Sequence, residues 1–197
     1  MKNAQHYAML AEMFRYPTYR LKTFSGDWKE IVDEYDPALH SELDPFLEHI
    51  SEKPLTFQQE YFVATFDVQP LCVLDTGYVL FGEDYRRGQF MANLSMEHKK
   101  AGNNCGSDLP DHLPNILMLL SKMKDRDVAE ELTCSLLLPA VESMIAGFRN
   151  RRNYYAGLLR IVYTVMQKDY PARKYETYVI KKKAGDCSGC ELKTAEG

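Results

Sequence analysis

The sequence predicts an all-α protein, a single-domain helical bundle, and three observations carry that prediction. Apolar residues recur at helical spacing along nearly all of the 197 residues. Only residues 68–83 break the pattern. No internal repeat or Ser/Gly-rich linker divides the chain, and 45% hydrophobic with 26% charged residues matches an ordinary globular domain.

The elements follow in order. Tyr7, Leu10, Ala11 and Phe14 share one helix face, and Tyr16-Pro17 ends that helix because a residue before proline avoids helical geometry. Asp36-Pro37 reads as an N-cap with proline in the first turn. The helix it opens carries Leu39, Leu43, Phe46, Leu47 and Ile50 as one stripe. Thr56 and Gln59 form a capping-box pattern ahead of FQQEYFVATF, which is apolar on more than one side and reads as a central, buried helix. Residues 68–83 fit a short strand and a loop with one helical turn equally well. From Asp84 the pattern returns, with Phe90, Met91, Leu94 and His98 on one face and Gly102 as a C-terminal stop.

Asp108 is expected to cap the next helix, whose inward stripe is Leu113, Ile116, Leu117, Leu120 and Met123. Asp111 and His112 then fall in its first turn, more exposed than Leu113. A long helix from about Asp127 to Phe148 places Ala129, Leu132, Leu136, Ala140, Val141, Met144 and Phe148 inward, with a kink at Pro139. Tyr154, Leu158, Val162, Val165 and Met166 define the last packed helix, stopped near Asp169-Tyr170-Pro171. Residues 1–183 therefore read as one helical domain and 184–197 as a mobile tail.

Charge and composition exclude several classes of function. A net charge of −4 and a pI near 5.8 disfavour a nucleic-acid partner. No apolar run approaches the roughly 20 residues of a membrane span, and the first residues lack the order of a signal peptide. The expected location is the cytoplasm, where the five cysteines would stay reduced.

Familiar catalytic signatures are absent: there is no GxSxG, HExxH, Walker-type or GxGxxG motif. Asp111-His112 is the one acid–imidazole neighbour pair worth examining, but adjacent helical residues diverge by roughly 100°, so Asp111 is badly placed to orient His112 as a relay. Cys187-x-x-Cys190 is half a zinc site with no second half, and is expected to be two free thiols. Arg86-Arg87 lies mid-chain with no apolar segment after it, so it is no export signal, and Lys181 to Lys183 reads as a solvated run.

FVATFD (62–67), YRRGQFMANLSMEHKKAG (85–102) and LPDHLPNILMLL (109–120) occur in that order, preceded by LAEMFRYP (10–17). This series resembles the nitrate reductase delta-subunit family, the NarJ-type chaperones, within the wider TorD- and DmsD-like group that matures molybdenum oxidoreductases. The resemblance spans roughly residues 8–165. The chain departs from it at Asp108, where nitrate reductase chaperones usually carry glutamate, and in its CxxC tail.

The resemblance implies a TorD-like helical fold, no catalysis, no cofactor and a monomer. The implied partner is the N-terminal leader of an apo catalytic subunit, held competent for insertion of the molybdopterin guanine dinucleotide cofactor before export or membrane docking. Matched by position, it implies client-binding residues Asp111, His112, Leu113 and Pro114 in LPDHLP, Tyr61, Phe62 and Phe66 in the TFD helix, and Arg87-Gly88. A helical adaptor for another client and a small enzyme are the competing expectations.

Overall fold

The computed structural model describes residues 4–149, 153–171 and 175–180. The tail 184–197, with Cys187 and Cys190, lies outside the described residues. What is described is mostly helical, with no strand and one isolated antiparallel bridge, Asp75–His112. No helix among the described residues is long and apolar enough to cross a membrane.

α1 (His6–Glu12) buries Tyr7, Leu10 and Ala11, as the sequence predicts, and packs chiefly against α7 (Leu113–Lys122). After a 3-10 turn, α2 (Ser25–Tyr35) inserts Trp28 into the core, where its indole N–H donates to Met9 O at 2.8 Å. Asp36 caps as expected, accepting from Ala38 N at 3.1 Å, and a 3-10 turn over Pro37–Leu39 leads into α3 (His40–Glu52).

α4 (Leu55–Phe66) corrects two expectations. Thr56 lies inside the helix and caps nothing, because the N-cap position is Pro54. The join to α3 is tied instead by buried Gln58, whose amide donates to Ile50 O at 3.1 Å and Lys53 O at 2.8 Å, two carbonyls at the end of α3. Nor is α4 the central helix, since Phe57 and Ala64 are exposed. That position belongs to α10 (Tyr154–Asp169), which packs on α2, α3 and α9 and buries nine of its sixteen residues, with Arg160 and Lys168 exposed on the remaining face. Gly157 makes the approach possible: a Cβ there would meet Glu42 O of α3 at 2.8 Å.

Residues 68–83 resolve into a bent segment, with Gln69 at φ +49°, that leads to the bridge residue Asp75 and then to α5 (Thr76–Phe81), stopped at Gly82 with φ +62°. α6 (Tyr85–Lys100) is capped by Asp84 and ends before Gly102, also at φ +62°. Asp108 does not cap the next helix. α7 begins five residues later with His112 at its N-cap position, so Asp111 and His112 precede the helix rather than fill its first turn.

The helix expected over 127–148 is α8 (Arg126–Leu132), a π-helical segment (Thr133–Leu137) and α9 (Leu138–Gly147). The cause is Pro139, which has no N–H for the carbonyl four residues back. That carbonyl, Ser135 O, accepts the backbone N–H of Tyr178 at 2.9 Å. The wider turns also shift the inward face, so that Leu137 is fully buried while Leu136 is only half-buried.

Candidate functional site

The residues just before α5 and the loop before α7 run antiparallel for one bridge. Leu113 N donates to Leu74 O at 2.9 Å and Thr76 N to Asp111 O at 2.8 Å. Thr76 Oγ1 donates to the same Asp111 carbonyl at 2.9 Å. This clamp sets two carboxylates beside the first turn of α6, from which Arg87 reaches back. Its Nε donates to Asp111 Oδ2 at 3.1 Å and its Nη2 to Asp75 Oδ2 at 3.2 Å. Tyr78 presents its ring face 5.5 Å from the guanidinium carbon, a cation–π contact.

Asp111 has no exposed surface, against the expectation of an exposed first-turn residue. A buried carboxylate must be paired, and Arg87 is the pair. Its second oxygen, Oδ1, is buried with no hydrogen-bond partner among the described residues. Space is tight as well: a Cβ on Gly77 would come within 2.7 Å of Asp111 Oδ2 and 3.0 Å of Phe90.

As the sequence implies, Asp111 does not orient His112. Asp75 does: its Oδ1 lies 3.0 Å from His112 Nδ1. The bond from His112, reinforced by the charge of Arg87, holds the Asp75 carboxyl below the ordinary carboxylate range despite its burial. An ionised carboxylate only accepts, so Nδ1 carries the hydrogen of that bond.

His112 is also one wall of a cleft of about 450 Å³. Phe14, Tyr16, Phe62 and Pro114 supply apolar surface, and Arg15, Asp67, Asp108 and His112 supply polar groups. Tyr16 meets Phe62 edge-on at 5.7 Å. The sequence segments that gather here are FRYP, TFD and LPDHLP, far apart along the chain and adjacent in space.

Of the residues named from sequence, Arg87, Asp111 and His112 form the polar cluster, while Phe62 and Pro114 join His112 at the cleft. Leu113 has no exposed surface and anchors α7 in the core, and Phe66 is buried against Tyr155 at 4.7 Å. Leu113 cannot touch a partner directly, and neither residue lines the cleft. Tyr61 faces elsewhere, stacked on Tyr154 at 4.4 Å, and Gly88 is exposed one residue beyond the cluster. Asp75, Gly77, Tyr78 and Tyr16 escaped the sequence reading. Asp75 and Gly77 fall in the one stretch without periodicity, and only the bridge brings them to His112.

A second network fixes the loop that carries LPDHLP. Buried His98 uses Nε2 to donate to Pro110 O at 3.0 Å, and its Nδ1 accepts from Asn103 Nδ2 at 3.0 Å. Asn115 Nδ2 donates to Leu109 O at 3.1 Å, and Lys122 Nζ donates to Asn103 Oδ1 at 2.8 Å. Burial, with the Lys122 charge adding to it, pushes His98 below its ordinary value and keeps it neutral. Cys72, Cys105 and Cys134 are free thiols. Burial pushes Cys72 up to about 12 and raises Cys105, so neither is an activated nucleophile. Among the described residues no group of His, Cys, Asp and Glu is placed to hold a metal ion.

Compared with known proteins, the chain matches no protein-family model, and no curated protein matches it closely enough to count as a relative.

Proposed function

We propose that the chain is a system-specific chaperone of the NarJ type with a TorD-like fold. It binds the N-terminal segment of a cofactor-free molybdenum reductase catalytic subunit, of nitrate reductase kind. In this reading it works in the cytoplasm as a monomer, without catalysis or a cofactor of its own. It holds the client open to insertion of the molybdopterin guanine dinucleotide cofactor and delays export or membrane docking.

One observation carries the reading: three segments of the resemblance, FRYP, TFD and LPDHLP, converge on a single cleft. Such a cleft suits a peptide, because its aromatic and proline surface offers apolar anchors while its acidic rim sets orientation. In this reading the peptide lies along Phe62, His112 and Pro114, while Asp75 holds His112 and Arg87 ties Asp75 to Asp111.

Calorimetry with a synthetic leader from such a catalytic subunit tests the reading. Binding at micromolar Kd or tighter, about −8 kcal/mol, is expected. Absence of heat, together with failure to mature a reductase in cells, would overturn it.

A further inference from the structure

Arg86 and Arg87 are neighbours in sequence, but only Arg87 enters the cluster of Asp75 and Asp111. Arg86 turns the other way. Its Nη2 donates to Asp84 Oδ2 at 3.1 Å, and the same carboxylate caps α6 by accepting Arg86 N on Oδ1 at 3.0 Å. Its Nη1 donates to the phenol oxygen of Tyr178 at 3.1 Å, 92 residues away in sequence. Each arginine also lies over an aromatic ring of α5, Arg86 over Phe81 at 5.6 Å and Arg87 over Tyr78 at 5.5 Å.

Tyr178 belongs to the last described segment, where its backbone N–H is held by Ser135 O of the π segment at 2.9 Å. Its ring meets Phe81 edge-on at 5.0 Å. The residue therefore spans from the π segment to the start of α6. That span matters because α6 packs chiefly on α5. A groove of about 490 Å³, lined by Phe90, Leu94, Val128, Leu132 and Leu136, lies between α6 and the helix formed by α8 and the π segment. The far end of α6 is fixed by the bond of His98 to Pro110 O at 3.0 Å. Its near end is fixed by the series Tyr178, Arg86 and Asp84.

We propose that Tyr178 is a positioning residue of the candidate site: it braces the first turn of α6, so that Arg87 stands where Asp75 and Asp111 both receive it. The inference rests on the peptide-docking reading, and it extends the support of that site to a segment beyond the residues that the resemblance covers. The warrant is geometric. Arg87 gives Nε to one carboxylate and Nη2 to the other, and the planar fork fixes these two nitrogens relative to each other. A tilt of the helix start that keeps one bond loses the other, so the backbone beneath Arg87 has to be held. Tyr178 itself touches no peptide. Its effect reaches the cleft through Arg87 and Asp75, which holds His112.

Two variants test the brace. Tyr178→Phe keeps the ring against Phe81 and removes the hydroxyl, whereas Tyr178→Ala removes both. NMR follows solvent exchange of the Arg87 Nε–H, and calorimetry on the full chain measures affinity for a leader peptide. In Tyr178→Ala the Arg87 Nε–H should exchange about fivefold faster, and leader affinity should fall about fivefold. Tyr178→Phe should lie between that variant and the native chain in both readings. Ile50→Val, buried in α3, is the control for a general loss of stability and should leave both readings at their native values. Unchanged Arg87 exchange in a folded Tyr178→Ala protein overturns the inference, and so does an equal rise in Ile50→Val. Faster exchange with unaltered leader affinity shows a brace that the site does not need, and overturns the positioning role. A native chain that binds no leader, with Arg87 exchange still faster in Tyr178→Ala, leaves the brace standing and removes the docking reading. Should Tyr178→Ala fail to fold, Tyr178→Phe decides by the same readings.

Discussion

Removing Arg87 would strand the buried Asp111 carboxylate, which has no other ion-pair partner among the described residues. Arg87→Ala should destabilise the protein by about 3–5 kcal/mol, the range for breaking a buried pair from one side, read from thermal or urea melts. A loss below about 1 kcal/mol would mean that Asp111 is not held as a buried ion. Gly77→Ala should also destabilise, because the added methyl meets Asp111 Oδ2 at 2.7 Å; overpacking of this kind costs about 1–3 kcal/mol. His112 behaves differently. It is 26% exposed at the side chain and its one ion pair is with Asp75. His112→Gln should cost about 0.5–1.5 kcal/mol, one ordinary hydrogen bond, yet weaken leader binding. Normal leader affinity in a folded His112→Gln protein would remove His112 from the site. Asp111 and His112 thus cannot be probed together, since one supports the fold and the other faces the cleft.

At the scale of elements, Pro139 and Leu113 give the clearest expectations. Pro139→Ala supplies an N–H that competes for Ser135 O, so the π segment should relax toward α-helix. The Tyr178 amide, now donating to that carbonyl at 2.9 Å, should then exchange faster with solvent; unchanged protection would refute the proline's role. Leu113→Ala should cost about 2–5 kcal/mol, as for other fully buried leucines. Helical stripes such as Tyr7-Leu10-Ala11 and Leu113-Ile116-Leu117 were legible because burial repeats with the helix period. Asp36 was legible as a cap because its signal is local. The cap at Thr56 failed because the helix starts two residues earlier, with Pro54 at its N-cap, and Gln58 satisfies the neighbouring carbonyls. The π segment was hidden because spacing shows that a proline disturbs a helix, not how the helix absorbs it. The Asp75–Arg87–Asp111–His112 cluster was half legible. Three members stand in recognisable motifs, while Asp75 acquires its meaning only through a bridge to a residue 37 positions away.

Across the whole molecule, ionisable networks join segments distant in sequence, and they predict how stability responds to pH. His98 and His49 are pushed below their ordinary value of 6.5, mainly by burial. The unfolded chain therefore takes up their protons first. Their contribution is complete above 6.5, is lost as pH falls below it, and stops changing once the folded values are passed. Asp75 lies below its ordinary 3.8, through His112 first. Asp169 does too: burial pushes it up, but hydrogen bonds from His6 at 2.7 Å and Tyr35 at 2.7 Å prevail. Stability from these carboxylates is present above 3.8 and lost as pH falls toward their folded values. Urea unfolding should therefore weaken in two stages, the first between about pH 7.5 and 5 and reduced in His98→Gln, the second in acid. A flat profile through the first interval would show that neither histidine is held neutral.

The join between Ser135 and Tyr178 has a consequence for how the chain tolerates change. Both partners are main-chain groups, so the contact is blind to side-chain identity, and at position 178 only proline would abolish it. A regular helix has no vacant acceptor along its middle; this one has a vacancy at a fixed address because a single ring nitrogen lacks a hydrogen. The omission in the helix thereby adds a main-chain anchor to the contacts that the Tyr178 side chain makes with Phe81 at 5.0 Å and with Arg86 at 3.1 Å. Replacing the Tyr178 side chain would remove its contacts and leave the main-chain anchor in place.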